Sequence, residues 1–371
     1  MVLLNDFVRQ WAEIDRDATA ALAAVGASGY YILGPSVAAF EERLARLCGP
    51  RHAVGVGNGL DAIAIGLRAA GCQPGQRVLT TPLSAFATTL AILQAGAVPC
   101  FVDVDRDGLL DLDRVEEALA RSPSFAFLLP VHLYGRPLAL RRLRALGERF
   151  GVPIIEDCAQ AIGASHDGVP VGTVGVAAAL SFYPTKNLGC LGDGGALLTE
   201  DAGLAERARA LRNYGQSSRY RHDHIGCNSR LDELQAAILS TALLPRLAGW
   251  NARRGAIAQA YCRGIANPAL ATPRADCPGA VWHLFPVLVR QGEREAFAAH
   301  LAAHGVQSAV HYPRLIPEQA ALRTYGKYEV LDSLERAREF AARELSLPIH
   351  PYLTALEIDT VVAACNSWRP A

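Results

Sequence analysis

Residues 181–199 read SFYPTKNLGCLGDGGALLT and place one lysine, Lys186, between a proline turn and a run of glycines. The apolar runs at 178–183 and 195–199 are typical of buried β-strands, which puts the lysine at a strand end. A surface lysine needs no such setting, because its flexible side chain reaches water from almost any helix. The surroundings therefore indicate a chemical role for Lys186.

The same pattern extends upstream, where short apolar runs alternate with helical patterns from Ala53 to about Asn213. This alternation is typical of an α/β fold with a mostly parallel sheet wrapped by helices. A long helical pattern that starts at Leu231 and is broken at Pro245 indicates a hinge into a second unit. We expect a large domain over residues 1–245 and a small C-terminal α/β domain over residues 246–371.

Composition and charge argue against several classes of partner. The chain has 36 lysines and arginines and 36 acidic residues, so no overall field favours nucleic acid or an acidic membrane. The N-terminus lacks the basic-then-apolar pattern of a secretory signal, and no run of 18 apolar residues, the length of a membrane-spanning helix, follows it. We expect a cytoplasmic protein that binds neither nucleic acid nor a membrane.

Metal binding is not expected either. Nine cysteines are scattered without a C-x-x-C pair, which argues against a zinc site or a disulfide framework and for buried thiols. The stretch DVDRDG at 103–108 resembles the start of a calcium loop, but Arg114 stands where a bidentate glutamate is required. His222 and His224 have no second ligand cluster near them in sequence, so they indicate a solvated loop.

A glycine turn lies between a strand and a helix in AVGVGNGLDAIAIGLRAAG, residues 53–71. The free N–H groups and the dipole of a helix N-terminus favour an anion there, so the turn predicts a phosphate site. A dinucleotide site would need an acidic residue about 20 positions on, where Thr80 and Thr81 stand instead. A tight turn without a ligand remains the alternative.

Two carboxyl groups, Glu156 and Asp157, end the apolar strand in IIEDCAQAIGA, residues 154–164. Carboxyl ends of parallel strands face the crevice where α/β proteins bind ligands, although one of these groups could simply cap the following helix. Lys186 follows at another strand end. A Schiff-base lysine and an aspartate beside the pyridine nitrogen are the groups that pyridoxal phosphate chemistry needs most.

Several stretches, spread nearly end to end, carry a resemblance to a known family. They are SGYYILGP (28–35), GNGLDAI (57–63), EDCAQAIGA (156–164), SFYPTKNLGCLGDGGALLT (181–199), LRNYGQ (211–216) and NSRLDELQAAIL (228–239). Together they resemble the DegT/DnrJ/EryC1/StrS family of sugar aminotransferases, which depend on pyridoxal 5'-phosphate. The resemblance implies the aspartate aminotransferase fold (fold type I), with a seven-stranded sheet in the large domain, and a homodimer with active sites shared at the interface.

The resemblance also implies roles for individual residues. Lys186 would form the Schiff base, Asp157 would pair with the pyridine nitrogen, and Gln160 would lie beside the cofactor ring and its hydroxyl. The backbone at Gly59 and Leu60 would bind the phosphate.

The Ser181 hydroxyl would also bind the phosphate, and Asn228 would reach it from the other subunit. Most relatives carry a hydroxyl residue at position 60, so here the Leu60 amide must serve alone. The stretch LSAFATT, residues 83–89, offers Ala85 or Phe86 as the residue that stacks on the ring. We expect Phe86, because a ring needs an apolar face to lie on.

The resemblance further implies a transamination from glutamate to a nucleotide-linked keto-sugar, a 3- or 4-keto-6-deoxyhexose, for an amino sugar of a surface polysaccharide or a glycosylated metabolite. Tyr183, His311 and Tyr312 are candidates for the sugar pocket. A keto-cyclitol acceptor is the main alternative. A regulatory protein that keeps the fold without the chemistry would be favoured by loss of the lysine or the aspartate, and a dehydratase of the same family by histidine in place of the lysine.

Overall fold

The computed structural model describes residues 1–122, 124–274, 277–290 and 292–370. Across these ranges, no helix is both long enough and apolar enough to span a bilayer. Helices and strands alternate through most of the chain, as the sequence predicts.

The described elements are numbered in chain order. The strands are β1 (His52–Val56), β2 (Arg77–Thr80), β3 (Val98–Phe101), β4 (Phe125–Leu129), β5 (Ile155–Asp157), β6 (Ser165–His166), β7 (Val169–Pro170), β8 (Ala177–Ser181), β9 (Gly195–Thr199), β10 (Gln216–Ser218), β11 (Arg221–His222), β12 (Leu270–Ala271), β13 (Phe285–Val289), β14 (Glu329–Val330) and β15 (Glu344–Leu347). The α-helices are α1 (Phe7–Ser28), α2 (Pro35–Cys48), α3 (Gly59–Ala69), α4 (Phe86–Gln94), α5 (Leu112–Arg121), α6 (Leu140–Phe150), α7 (Ala202–Leu211), α8 (Glu233–Ile238), α9 (Leu247–Gly264), α10 (Arg294–Ala303), α11 (Ala320–Tyr325), α12 (Glu335–Arg343) and α13 (Ala355–Ser367).

Seven strands of the large unit form one mixed sheet in the order β1-β9-β8-β5-β4-β2-β3. β4 and β5 are joined by parallel bridges from Leu128 to Ile154 and from Val131 to Asp157. β9 runs antiparallel to both of its neighbours, and the remaining pairs are parallel. The predicted seven-stranded, mostly parallel sheet is therefore confirmed.

A smaller antiparallel sheet of β12, β13 and β15 lies in the C-terminal part of the chain. β14, which also belongs to that part, instead pairs with β3 at the edge of the large sheet. In the other direction, Val2 at the N-terminus bridges to Val306. The N-terminus thus pairs with the C-terminal part of the chain, and a segment of the C-terminal part pairs with the large sheet.

The apolar residues form two main clusters. The larger one surrounds the mixed sheet and includes Val54, Leu128 and Leu197, while the smaller one includes Phe285 and Phe297. Each cluster is buried because apolar side chains gain free energy on leaving water. α12 packs Ala337 and Phe340 against the larger cluster, which ties the C-terminal part to the large sheet.

The segment between the units is helical throughout. α8 continues into a π-helical turn at Leu239–Leu243 and a 3₁₀ turn at Leu244–Arg246 before α9 begins. Pro245 lies in the 3₁₀ turn, because its ring removes the N–H that an uninterrupted α-helix would use. The helical pattern expected from Leu231 is therefore present and is interrupted at the predicted proline.

Candidate active site

A cavity of about 460 Å³ lies where two parallel strands of the mixed sheet end. β5 ends at Asp157 and β8 ends at Ser181, and both residues line the cavity with Lys186. Carboxyl ends of parallel strands lie at one edge of a sheet, which brings together residues that are far apart in sequence. Asn58, Gly59, Leu60, Ser84, Ala85, Thr88, Gln160 and Tyr183 are among the other lining residues.

Asp157 is almost completely buried, with 5% of its surface exposed. Its Oδ2 accepts a hydrogen bond of 2.8 Å from the Thr88 hydroxyl, and its Oδ1 accepts one of 3.1 Å from the Ala159 N–H. Burial raises the pKa of Asp157, and the two hydrogen bonds and the charge of Lys186 oppose that rise. The carboxyl group is thus held in one orientation at the cavity wall.

The neighbouring carboxyl group, Glu156, has a structural role. Its carboxylate oxygens accept hydrogen bonds of 2.9–3.0 Å from the backbone N–H groups of Gly172, Val174 and Gly175. Its Oε2 lies 3.1 Å from Nε2 of His132. Burial raises the pKa of Glu156, but the His132 and backbone hydrogen bonds outweigh it, so the pKa falls below its ordinary value. Since successive side chains of a strand point to opposite faces, only Asp157 is available to the cavity.

His132, Glu156 and Cys158 have potential ligand atoms within 4.8 Å of one another. Nδ1 of His132 accepts the Leu138 N–H at 3.2 Å, so the ring proton is on Nε2 and points to Glu156. Both ring nitrogens therefore already have partners within the protein. We assign this cluster a structural role.

Lys186 lies in a tight turn after β8. Its N–H donates to the Tyr183 carbonyl at 2.8 Å, and a Cβ at Gly189 would lie 2.2 Å from the Pro184 carbonyl oxygen, so the turn requires glycine. Burial lowers the pKa of the Lys186 amine to about 8, against an opposing effect of Asp157. A substantial fraction of the amine is therefore neutral and nucleophilic near neutral pH.

The N-terminus of α3 forms another part of the cavity wall. Asn58 caps the helix by accepting the Asp61 N–H at 2.8 Å, while the N–H groups of Gly59 and Leu60 find no acceptor in the described part of the chain. A Cβ at Gly59 would lie 2.7 Å from Cβ of Ser181, so glycine lets the helix end approach β8 closely. Free N–H groups at a helix N-terminus favour an anion.

A second cavity of about 220 Å³ adjoins the first at Lys186. Its wall includes the three predicted sugar-pocket residues Tyr183, His311 and Tyr312. Gln160 lines both cavities, and its amide donates to the Tyr312 hydroxyl at 3.3 Å. The structure thus brings these four residues together around the lysine.

Two predicted site residues lie elsewhere. Phe86 is not among the lining residues of either cavity; it packs against a small cluster that contains Phe101 and Ile316. Ala85, which precedes α4, lines the first cavity, whereas Phe86, the residue expected to stack on the ring, does not. The physical reason is that the aromatic side chain of Phe86 gains more free energy from apolar burial beside Phe101 than the methyl group of Ala85 would gain there.

Asn228 is exposed and does not line either cavity of this single chain. It forms an antiparallel bridge with Asn213. The helix that follows begins at Glu233 with Asp232 at its N-cap position, so Asn228 does not cap it.

Several residues in contact with the site carry no signal in the local sequence. Thr88 holds Asp157, while Asn187 donates to the Val281 carbonyl at 2.9 Å and lies 3.2 Å from Nδ1 of His283. Thr88 is 69 positions from Asp157, and Asn187 is 96 from His283. No local pattern connects residues so far apart.

A larger cavity, of about 540 Å³, lies away from the lysine and contains the calcium-like loop. Asp107 pairs there with Arg136 at 3.4 Å and Arg274 at 3.1 Å, and Asp105 accepts N–H groups of its own loop. The acidic side chains thus bind arginines and the backbone.

The residues of the first cavity fit pyridoxal phosphate. They offer an amine with a lowered pKa, a buried carboxyl group and a helix end with unused N–H groups, in a volume usual for a ligand pocket of roughly 300–1,000 Å³. Each group matches one part of the cofactor: the aldehyde, the ring nitrogen and the phosphate.

Comparisons with known proteins agree with this fit. The family model described as "DegT/DnrJ/EryC1/StrS aminotransferase family" matches residues 12–366. The "dTDP-3-amino-3,4,6-trideoxy-alpha-D-glucose transaminase" of Streptomyces venezuelae is 43% identical over 98% of this chain and 95% of its own. The "Erythromycin biosynthesis sensory transduction protein EryC1" of Saccharopolyspora erythraea is 43% identical over 98% of each chain. A solved structure of S. venezuelae DesV "in complex with ketimine intermediate" has a TM-score of 0.93 at 42% identity and covers 99% of this chain and 98% of its own.

Proposed function

Since the chain belongs to the DegT/DnrJ/EryC1/StrS aminotransferase family, we propose that it moves an amino group from glutamate to a nucleotide-linked 3-keto-6-deoxyhexose. The chain is an aminotransferase that depends on pyridoxal phosphate, as the sequence predicts. The sugar is supported by the S. venezuelae relative, whose name places the amino group on carbon 3 of a dTDP-linked sugar. We place the reaction in the cytoplasm and the product in amino sugar biosynthesis.

The observation that carries the proposal is the shared cavity of Lys186 and Asp157 beside the N-terminus of α3. When bound there, pyridoxal phosphate supplies an electron-withdrawing ring that holds the electron pair left when a proton departs from the amino donor's α-carbon. The chain supplies the anchor, the charge beside the ring nitrogen and the groups that bind the phosphate.

With the cofactor bound, Lys186 would hold it through its amine and would move the proton at the amino donor's α-carbon. The lowered pKa suits both tasks, because a neutral amine attacks a carbonyl carbon and a base with a pKa near 8 exchanges protons efficiently near neutral pH. Its turn, closed by the Tyr183 carbonyl, keeps the side chain directed to the cavity.

As an anion beside the ring nitrogen of the bound cofactor, Asp157 would hold a proton on that nitrogen. The Thr88 hydroxyl and the Ala159 N–H both favour that ionised state, since each donates to a carboxylate oxygen. The cationic ring nitrogen would lower the pKa of Asp157 further by direct attraction.

The free N–H groups of Gly59 and Leu60 and the Ser181 hydroxyl would hold the phosphate. We assign the face of the ring to Ala85 in place of Phe86, because only Ala85 lines the cavity. Gln160 lies beside the ring, with its carbonyl oxygen held by the Tyr134 N–H at 2.6 Å.

The amino donor and the sugar enter through the second cavity, where Tyr183, His311 and Tyr312 offer polar atoms beside Lys186. A sugar needs several such atoms, because a buried hydroxyl without a partner weakens binding.

We further propose a homodimer in which Asn228 completes the partner's phosphate site. The loop that contains Asn228 exposes large apolar side chains, with 81% of Tyr220 and 88% of Ile225 accessible. Large apolar side chains exposed on one loop suit a protein interface. Asn228 itself is exposed and makes no side-chain hydrogen bond to the described residues, which leaves its amide available.

The test is to incubate the cofactor-loaded protein with glutamate and a panel of nucleotide-linked 3- and 4-keto-sugars and to measure 2-oxoglutarate. We expect release that depends on a 3-keto-6-deoxyhexose and disappears in Lys186→Ala. Release with a keto-cyclitol alone would overturn the sugar assignment. No release with any acceptor would favour the regulatory alternative.

A further inference from the structure

A buried carboxyl group stands behind the second cavity without touching it. Glu344 opens β15 and is completely buried, and Ser346 lies two residues further along the same strand. Neither residue lines the cavity. Both contact His311, which does.

Three short hydrogen bonds join these residues. Oε2 of Glu344 accepts the His311 N–H at 2.6 Å, and Oε1 of Glu344 lies 2.6 Å from the Ser346 hydroxyl. The same hydroxyl lies 2.9 Å from Nδ1 of the His311 ring. The arrangement is a continuous path from the carboxyl group through the hydroxyl to one ring nitrogen.

Nε2, the other ring nitrogen of His311, makes no hydrogen bond to any described residue. Because Nδ1 is turned towards Ser346, the edge of the ring that carries Nε2 is the one left for the cavity. Nε2 is therefore the atom that a bound molecule beside Lys186 would meet.

We propose that Glu344, acting through Ser346, sets the tautomer of His311 and so decides whether Nε2 offers the bound molecule a hydrogen-bond donor or an acceptor. Glu344 and Ser346 are positioning residues in this reaction. The inference rests on the proposed function only for the identity of the bound molecule, a keto-sugar or the amino donor.

The proton positions follow from the direction of each bond. When Glu344 is neutral, its Oε1–H donates to Ser346, the Ser346 hydroxyl donates to Nδ1 of His311, and the ring proton is on Nε2. When Glu344 loses its proton to solvent, the Ser346 hydroxyl donates to Oε1 and accepts Nδ1–H instead. The ring then carries its proton on Nδ1, and Nε2 becomes an acceptor.

The surroundings of Glu344 and His311 place the change of tautomer within a pH range that can be measured. Burial raises the pKa of Glu344 to about 8, and the Ser346 and His311 hydrogen bonds and the charge of Arg294 oppose that rise. Burial and the charge of Lys186 lower the pKa of His311 to about 4, so its ring stays neutral throughout. The other titratable groups that act on Glu344 or His311 are Tyr134, Tyr312 and His283.

The experiment records two-bond ¹H–¹⁵N correlation spectra of the cofactor-loaded protein with ¹⁵N-labelled histidine, from about pH 6 to about pH 10. The His311 signals are assigned by their loss in His311→Gln. We expect the Nε2–H tautomer below about pH 8 and the Nδ1–H tautomer above it. A His311 tautomer that does not change over this range in the unmodified protein would overturn the proposal.

Three variants test whether the change of tautomer depends on the path from Glu344 through Ser346 or on a general change in the structure. Glu344→Gln places an amide where the neutral acid stands, so we expect the Nε2–H tautomer at every pH. Ser346→Ala should abolish the change by removing the connecting hydroxyl. Glu339→Gln, at an exposed position on α12, should keep the change. A Glu344→Gln protein that still shows the wild-type change would contradict the assignment.

No sugar or glutamate is needed for these spectra, so the result is independent of the activity assay. A protein that shows the tautomer change but transfers no amino group would contradict the proposed function alone. If a variant fails to fold, as circular dichroism would show, the pH series of the unmodified protein still decides the proposal.

Discussion

The hydroxyl of Thr88 donates a hydrogen bond of 2.8 Å to Oδ2 of Asp157, although 69 positions separate the two residues. Thr88 lies in the first turn of α4, and Asp157 ends β5. The bond fixes the orientation of the carboxyl group and favours its ionised form. The orientation of the Asp157 carboxyl group therefore depends on α4, which lies far from it in the sequence.

Removing this hydrogen bond should weaken catalysis without unfolding the protein. For Thr88→Val we expect kcat to fall roughly tenfold, since a hydrogen bond to a charged group contributes about 1.5–3 kcal/mol and tenfold corresponds to about 1.4 kcal/mol. Steady-state kinetics measure the change. Thr89→Val is the matched control, because the buried Thr89 hydroxyl has no hydrogen-bond partner among the described residues. Equal losses in the two variants would show that the Thr88 bond is unimportant.

Asp157→Asn should retain the fold and bind the cofactor but lose turnover by roughly a thousandfold or more. The neutral amide cannot hold a proton on the ring nitrogen, and each pKa unit lost there is worth about 1.4 kcal/mol. Single-turnover kinetics with glutamate measure the loss. Asp167→Asn, at an exposed position where asparagine tolerates the positive φ, should behave as wild type. Near-normal turnover in Asp157→Asn would show that the charge has been assigned to the wrong residue.

Borohydride reduction of the cofactor-loaded protein should fix the cofactor to the peptide that contains Lys186. The chain has one other lysine, Lys327, which is exposed and serves as an internal control for non-specific labelling. Peptide mass spectrometry reads the outcome. Label on Lys327 alone, or a protein that takes up no cofactor, would contradict the assignment of Lys186.

The pH dependence of cofactor capture should report the lowered pKa of Lys186. The pKa of the Lys186 amine in the folded protein, about 8, lies below the ordinary lysine value of 10.5, so the neutral amine predominates above about pH 8 and the charged form below. We therefore expect the rate at which the cofactor-free protein captures the cofactor to increase about tenfold per pH unit up to about pH 8 and to level off above that pH. Stopped-flow absorbance measures the rate. A rise that continues to about pH 10 would show an ordinary, solvated lysine.

Mixing two inactive variants should restore activity if the sites are shared between subunits. Lys186→Ala and Asn228→Asp are each purified and then mixed under conditions that exchange subunits. A heterodimer with shared sites carries both changes in one site and none in the other, so each heterodimer should recover about half of the wild-type activity. If each site is built from one chain, no activity returns, and the shared-site proposal is wrong.

Much of the large sheet could be predicted because each of its strands corresponds to a local run of apolar residues. Each of the seven apolar runs between Ala53 and Thr199 became a strand, since a strand buried on both faces needs a continuous apolar run. The alternation of apolar runs and helical patterns begins only at Ala53, so it does not predict the N-terminal helices α1 and α2. The two-residue β14 is too short to carry a pattern, and its pairing with β3 joins segments more than 200 positions apart.

The sequence by itself determined the fold class and the placement of Lys186 and Asp157 at one cavity, because each stands at or just after the end of a predicted strand and parallel strands end at a common edge. Only the tertiary structure decided which side chains support them. The packing of Phe86 beside Phe101, the contact of Thr88 with Asp157 and the path from Glu344 through Ser346 to His311 all join separate segments. Such contacts arise when whole elements pack, and packing depends on the complementary shapes of surfaces that no local stretch of sequence contains.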